Sequence, residues 1–127
     1  MTAPARSAAL RALRDVSTGR SDLGSAQAQA RELLSDPRDR ALATEIVTGT
    51  LRWRAALDHA LFQISSRSPE SIDPEVLDLL RASAYQILYL DRVPNHAVVN
   101  DAVTLIRRLK KQSAAGFIVK SQHYYHS

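Results

Sequence analysis

Apolar residues return along this chain with a period of about 3.6, the spacing of helices that bury one face. Only four glycines and five prolines punctuate the pattern. From about Pro4 to Thr18, Ala9, Leu10, Leu13 and Val16 share a face, and Gly19 stops the helix. A second helix over about Leu23 to Leu34 has an apolar face made mostly of alanine, which predicts close approach to a neighbour. Asp36-Pro37 opens a long third helix, with Asp36 as the N-cap and proline at the first helical position. Leu42, Ile46, Trp53 and Leu57 form its inward stripe, and the pattern leaves open whether it breaks before Leu61 and Phe62. SSRSPESI, residues 65–72, reads as a loop.

The next start is the best marked in the chain. Asp73 caps, Pro74 is the first helical residue, and Ile72 can staple onto Leu77. The helix that follows is apolar nearly all round (Val76, Leu77, Leu79, Leu80, Ala84, Ile87, Leu88, Leu90), which predicts the middle of a bundle, with Leu80 and Leu88 at its centre. Asp91-Arg92-Val93-Pro94 turns the chain into another helix. There Val98, Ala102, Leu105 and Leu109 join Val99, Val103 and Ile106 on one face, while Asn100, Thr104 and Arg107 face out. Ser113 is placed to cap a short last helix. The expectation is an all-α bundle of about six to seven helices.

A chain of 127 residues with 45% apolar content is one domain's worth, able to build a core without staples. The absence of cysteine excludes disulfides, a thiolate zinc site and a cysteine nucleophile in this chain. Arg6, Arg11 and Arg14 interrupt the start, so it lacks a secretory h-region, and no run approaches the ~20 apolar residues that span a bilayer. The chain reads as soluble and cytoplasmic, with no membrane partner. Net charge is +4, and fourteen of the seventeen cations are arginine, whose planar fork suits phosphate and base edges. Residues 1–20 hold Arg6, Arg11, Arg14 and Arg20 against Asp15 alone, and 107–111 read RRLKK. Between them, Glu70 to Asp91 holds five acids and only Arg81. Basic segments flank an acidic middle, although ordinary solvated helix faces produce similar runs.

Three segments carry a resemblance: DRALATEIVTGTLRWRAALDHAL at 39–61, LLRASAYQILYLDRVPNHAVVNDAV at 79–103 and SAAGF at 113–117. Together they resemble the NusB-like family over about residues 5 to 118. Within it, the block from Thr48 to Arg54 and Val93-Pro94-Asn95-His96 are most similar to the N-terminal domain of Sun/Fmu-type ribosomal RNA cytosine-5 methyltransferases. The resemblance implies a helical RNA-binding domain. In the full-length relatives, a Rossmann-type domain using S-adenosylmethionine follows. Here no glycine-rich cofactor loop follows a strand and there is no cysteine to attack a cytosine ring, so this chain is expected to be non-enzymatic and to bind no cofactor. After Ile118 the chain reads VKSQHYYHS, where the family continues with an Asn-Ala-Val-Leu-Arg-like helix. The expected organisation is a domain over 1–118 and a divergent tail over 119–127, of truncated or foreign origin.

The resemblance and the charge pattern select Arg6, Arg11 and Arg14 on the first helix, Arg52 and Arg54 on the third, and Arg107, Arg108, Lys110 and Lys111 as RNA-binding candidates. By the helical wheel, Arg11 and Arg14 fall outside the leucine face and Arg6 at its edge. Arg52-Trp53-Arg54 reads either as an aromatic between cations that stacks a base or as a core tryptophan flanked by surface arginines. Its place on the stripe of Ile46 and Leu57 favours the core. Tyr85 and Tyr89 share a stripe and read as core rings with hydroxyls reaching polar partners. His96, near Asn100 and Asp91, lacks convergent ligands and reads as a helix-start residue, and no metal site is expected. His123 and His126 lie in the divergent tail and receive no role.

Three functions follow. The first is the ribosomal-RNA-docking domain of a methyltransferase, paired with its own catalytic domain. The second is a stand-alone antitermination factor, and the third a protein–protein adaptor or homodimer.

Overall fold

A computed structural model describes the backbone of residues 2–126 and the side chains of residues 2–110. Among these residues there are six helices and no strand: α1 (Pro4–Ser17), α2 (Leu23–Glu32), α3 (Pro37–Arg52), α4 (Arg54–Ser65), α5 (Pro74–Tyr89) and α6 (Asn95–His126). A single 3-10 turn, Pro69–Ser71, interrupts the loop before α5. The all-α expectation holds.

Local chemistry sets the helix ends. Proline occupies the start of α1, α3 and α5, where its missing N–H costs nothing. The Asp36 carboxylate accepts the Arg38 N–H at 2.8 Å, and that of Asp22 accepts the Ser25 N–H at 2.7 Å. The bonds from Ser25 hold the Asp22 carboxyl below its usual range. That cap therefore supports the fold at neutral pH and weakens as pH falls through the carboxylate range. Asp73 stands at the N-cap of α5 but makes no side-chain cap bond. Gly19 ends α1 with φ +73°, which a side chain tolerates poorly.

α1, α2 and α3 pack through small residues. Ala5, Ala9 and Ala43 are fully buried, and Ala26 and Ala30 nearly so, which lets the backbones approach closely. α5 packs against α1, α3, α4 and α6, the central position its composition predicted. The largest buried side chains are Leu13, Ile46, Val47, Leu57 and Val98.

Five expectations are corrected. The third helical pattern is two helices, because Trp53 leaves helical geometry (φ −102°, ψ 19°) and ends α3 while starting α4. That turn swings Trp53 out of the Ile46–Leu57 stripe: it is 44% exposed and not a core residue. α5 is not buried all round either. Leu88 is 57% exposed, and Ile87 is exposed as well. On α6, Val98 and Leu105 are buried, but Val99 and Val103 face solvent, and α6 runs through Ser113 without a new start. The side chains on either side of the expected boundary at residue 118, and those of the tail, lie outside the described residues.

Candidate nucleic-acid interface

The arginines selected from sequence divide into two groups. Arg6 and Arg14 are fasteners. The Arg6 guanidinium sits 2.7 Å from the Asp101 carboxylate, both only 11% exposed, and its Nε donates to Gln86 Oε1 at 2.8 Å. This ties α1 to α5 and α6, and the Ala3 N–H joins the same carboxylate at 3.0 Å. Arg14 donates to Asp78 at 2.7 Å, where Asp78 is 6% exposed. Arg81 grips Asp58 with two bonds, at 2.6 and 2.9 Å, tying α5 to α4. Of the acidic stretch from Glu70 to Asp91, Asp78 alone takes part in these internal pairs, and the other carboxylates, Asp58 and Asp101, come from outside it.

The second group is exposed. Arg11, Arg52, Arg54, Arg107, Arg108 and Lys110 face solvent and make no ion pair among the described residues. They do not converge. Arg11 lies by the α1–α2 seam, and Arg52 and Arg54 line different clefts, Trp53 lining only the one with Arg52. The Lys111 side chain lies outside the described residues.

What the structure gathers instead is an arginine-edged basin of about 620 Å³ over α3. Arg31 from the end of α2, Arg40 from the start of α3 and Arg52 from its end line it, together with Thr44, Thr48, Gly49, Trp53 and Tyr85. Arg40 is oriented by its Nε, which donates to the Leu34 carbonyl at 2.6 Å. Glu45, on the basin wall, pairs with Arg92. Ala41 connects this basin to a second cleft that includes Arg38 and Arg92.

The two rings that line the basin, Trp53 and Tyr85, are joined by Tyr89 into a stack of three. Tyr89 lies 5.5 Å from Trp53, 13° from parallel, and 5.4 Å from Tyr85 at 20°. Tyr85 is the buried member, and Tyr89 is 43% exposed, so the sequence expectation of two core rings holds only for Tyr85. Burial first, and Glu45 second, hold the Tyr85 phenol above its usual range, against the pull of Arg52 and Arg92. It stays a neutral hydrogen-bonding group.

Sequence reasoning missed Arg31, Arg38, Arg40 and Arg92. Three of these fall within ten residues of one another around the α2–α3 turn. That local density was the available signal, but its meaning depends on how the turn folds.

The described residues hold no group of three or more His, Cys, Asp or Glu placed to bind a metal, and no helix long and apolar enough to cross a membrane. A helical bundle with this interface defines a class, and comparison with known proteins places the chain in it. The profile described as NusB family matches residues 3–118, and the chain belongs to the NusB family. It is similar to the probable ribosomal RNA small subunit methyltransferase B of Bacillus subtilis (strain 168), 38% identical over 85 residues, covering 67% of this chain and 19% of that protein. The ribosomal RNA small subunit methyltransferase B of Pseudomonas putida is 34% identical over 113 residues, covering 89% and 26%. The transcription antitermination protein NusB of Xanthomonas axonopodis pv. citri is 33% identical over 89 residues, covering 70% and 56%. The chain therefore spans about a fifth to a quarter of these methyltransferases. No solved structure matches it.

Proposed function

We propose that this chain is the RNA-docking domain of a cytoplasmic, S-adenosylmethionine-dependent ribosomal RNA cytosine-5 methyltransferase, and that the methyl transfer belongs to a separate catalytic domain. The observation that carries the reading is the set of exposed cations left without carboxylates once the internal pairs are made. In a family member similar to proteins named for ribosomal RNA methylation, that surplus suits a phosphate backbone. The described glycines do not fit the methyl donor. Gly19 ends a helix, Gly24 lies in the first turn of one, and the space at Gly49 is filled by Tyr85. The part left to this chain is to hold the RNA.

The test is RNA affinity against salt. Replacing Arg107, Arg108 and Lys110 together with alanine is expected to weaken binding and flatten the salt slope by about 0.7–0.9 units for each phosphate no longer neutralised. Arg67→Ala, in the loop after α4, serves as the control. Equal slopes for the parent and the triple variant would refute docking through this stretch of α6.

The similarity to an antitermination protein, of which the chain spans a larger share, favours that factor as the second reading. The two part at the gene. A reading frame running on into a Rossmann-type domain supports the first, and a stop codon directly after this chain supports the second. Exposed Val99 and Val103, one turn apart on α6, suit the adaptor or homodimer reading. Sedimentation at rising concentration measures self-association directly.

A further inference from the structure

The basin over α3 combines features that a phosphate surface alone does not require. Trp53 is held at the helix junction with one ring face closed by Tyr89, yet it remains 44% exposed. An exposed tryptophan is costly to leave in water. Here the stack and the junction fix its orientation, so little freedom is lost when a second flat ring is laid on it. Arg52 precedes Trp53 at the end of α3, Arg31 of α2 and Arg40 at the start of α3 line the same basin farther along, and Thr44 and Thr48 line it as well. Arg31 and Arg52 make no ion pair among the described residues. The volume falls within the range of about 300–1,000 Å³ typical of small-molecule sites.

We propose that this basin is a subsite for a short single-stranded RNA segment, with one unpaired base stacked on Trp53, its flanking phosphate on Arg52, and a phosphate farther along the strand on Arg31 and Arg40, because Arg40 and Arg52 stand ~18 Å apart along α3. The inference deepens the RNA-docking reading and rests on it for the identity of the polymer. A bare anion has no use for the aromatic ring, and an acidic peptide presents no flat face to it. A duplex keeps its bases stacked on one another, so only an unpaired base is free to lie on a side chain. The basin is specific for unpaired structure and tolerant of sequence, because every base has a π-face.

Trp53 is the only tryptophan in the chain, so intrinsic fluorescence reports this site alone. The intact chain is titrated at low salt with a short labelled oligoadenylate, with adenosine monophosphate and with inorganic phosphate, following tryptophan emission and, for the RNA, anisotropy. The oligonucleotide and the mononucleotide are expected to quench Trp53, and phosphate is not. Trp53→Leu weakens oligonucleotide binding about tenfold with an unchanged salt slope, whereas Trp53→Tyr stays within about threefold of the parent. Arg31→Ala and Arg52→Ala each flatten the slope by about 0.7 units. Should Trp53→Leu fail to fold, the parent's quenching and the Trp53→Tyr affinity decide. Tight, salt-dependent RNA binding with unmoved Trp53 emission overturns the subsite and leaves docking standing. Absence of RNA binding together with quenching by the mononucleotide does the reverse: the docking reading falls and the subsite remains as a nucleotide site. Silence with both ligands removes both.

Discussion

Gly49 has no side chain because Tyr85 occupies the place one would take. A Cβ built there meets Tyr85 Cζ at 1.9 Å, far inside van der Waals distance. The ring cannot simply swing away, since it stacks on Tyr89 and is buried. Alanine is the better helix former by about 1 kcal/mol, but overpacking outweighs that here. Gly49→Ala is expected to destabilise the protein by about 1–3 kcal/mol in denaturant titration. In a Tyr85→Leu background the penalty should largely vanish, because the clashing ring atoms are gone. Additive losses in the double-mutant cycle would show that the two residues do not share the space. No periodicity in the sequence marks Gly49 as special. It reads as a weak spot in a helix until the ring that fills it is known.

At the scale of elements, the Asp36 cap and the helix-starting prolines were legible because they act within one turn of their own position, while Asp73 stands at the N-cap without the expected bond. Pro4, Asp36-Pro37 and Asp73-Pro74 start helices as expected. The end of α4 was not legible. Ser66 closes it in the left-handed region, φ 58° and ψ 18°, without a side-chain bond to offset the strain. Ser66→Gly is therefore expected to raise the melting temperature, corresponding to up to about 1 kcal/mol. A lower melting temperature would mean that the serine is favoured there for reasons other than backbone shape. The break at Trp53 was equally hidden. The apolar period runs on across it, and only the packing of α4 against α5 fixes where the chain turns.

For the whole molecule, the charges sort by depth. Arg6, Arg14 and Arg81 are drawn inward to Asp101, Asp78 and Asp58, and the arginines left over face solvent. Removing Arg6 leaves the buried Asp101 carboxylate without its cation, at a cost of about 3–5 kcal/mol, whereas removing Arg14 costs less because Arg81 stands 3.7 Å from Asp78. Arg6→Ala and Arg14→Ala should each lower the melting temperature while leaving the salt slope of RNA binding unchanged. The helical wheel implied the opposite for Arg14, weaker RNA binding at unchanged stability. A flattened slope with unaltered melting would restore that assignment.

Sequence alone determined the fold class, the starts of α1, α3 and α5 and the family, because period, capping chemistry and the residues of 39–61 and 79–103 are local properties of the chain. It also determined that the surface carries a surplus of arginine. Only the tertiary structure decided which arginines remain free, because each one's partner lies far away along the chain: Asp101 for Arg6, Asp78 for Arg14. It alone turned Trp53 outward and brought Arg31 of α2 into one basin with Arg40 and Arg52 of α3. Charge pairing and burial are decided by distance in space, and a helical period measures only distance along the chain.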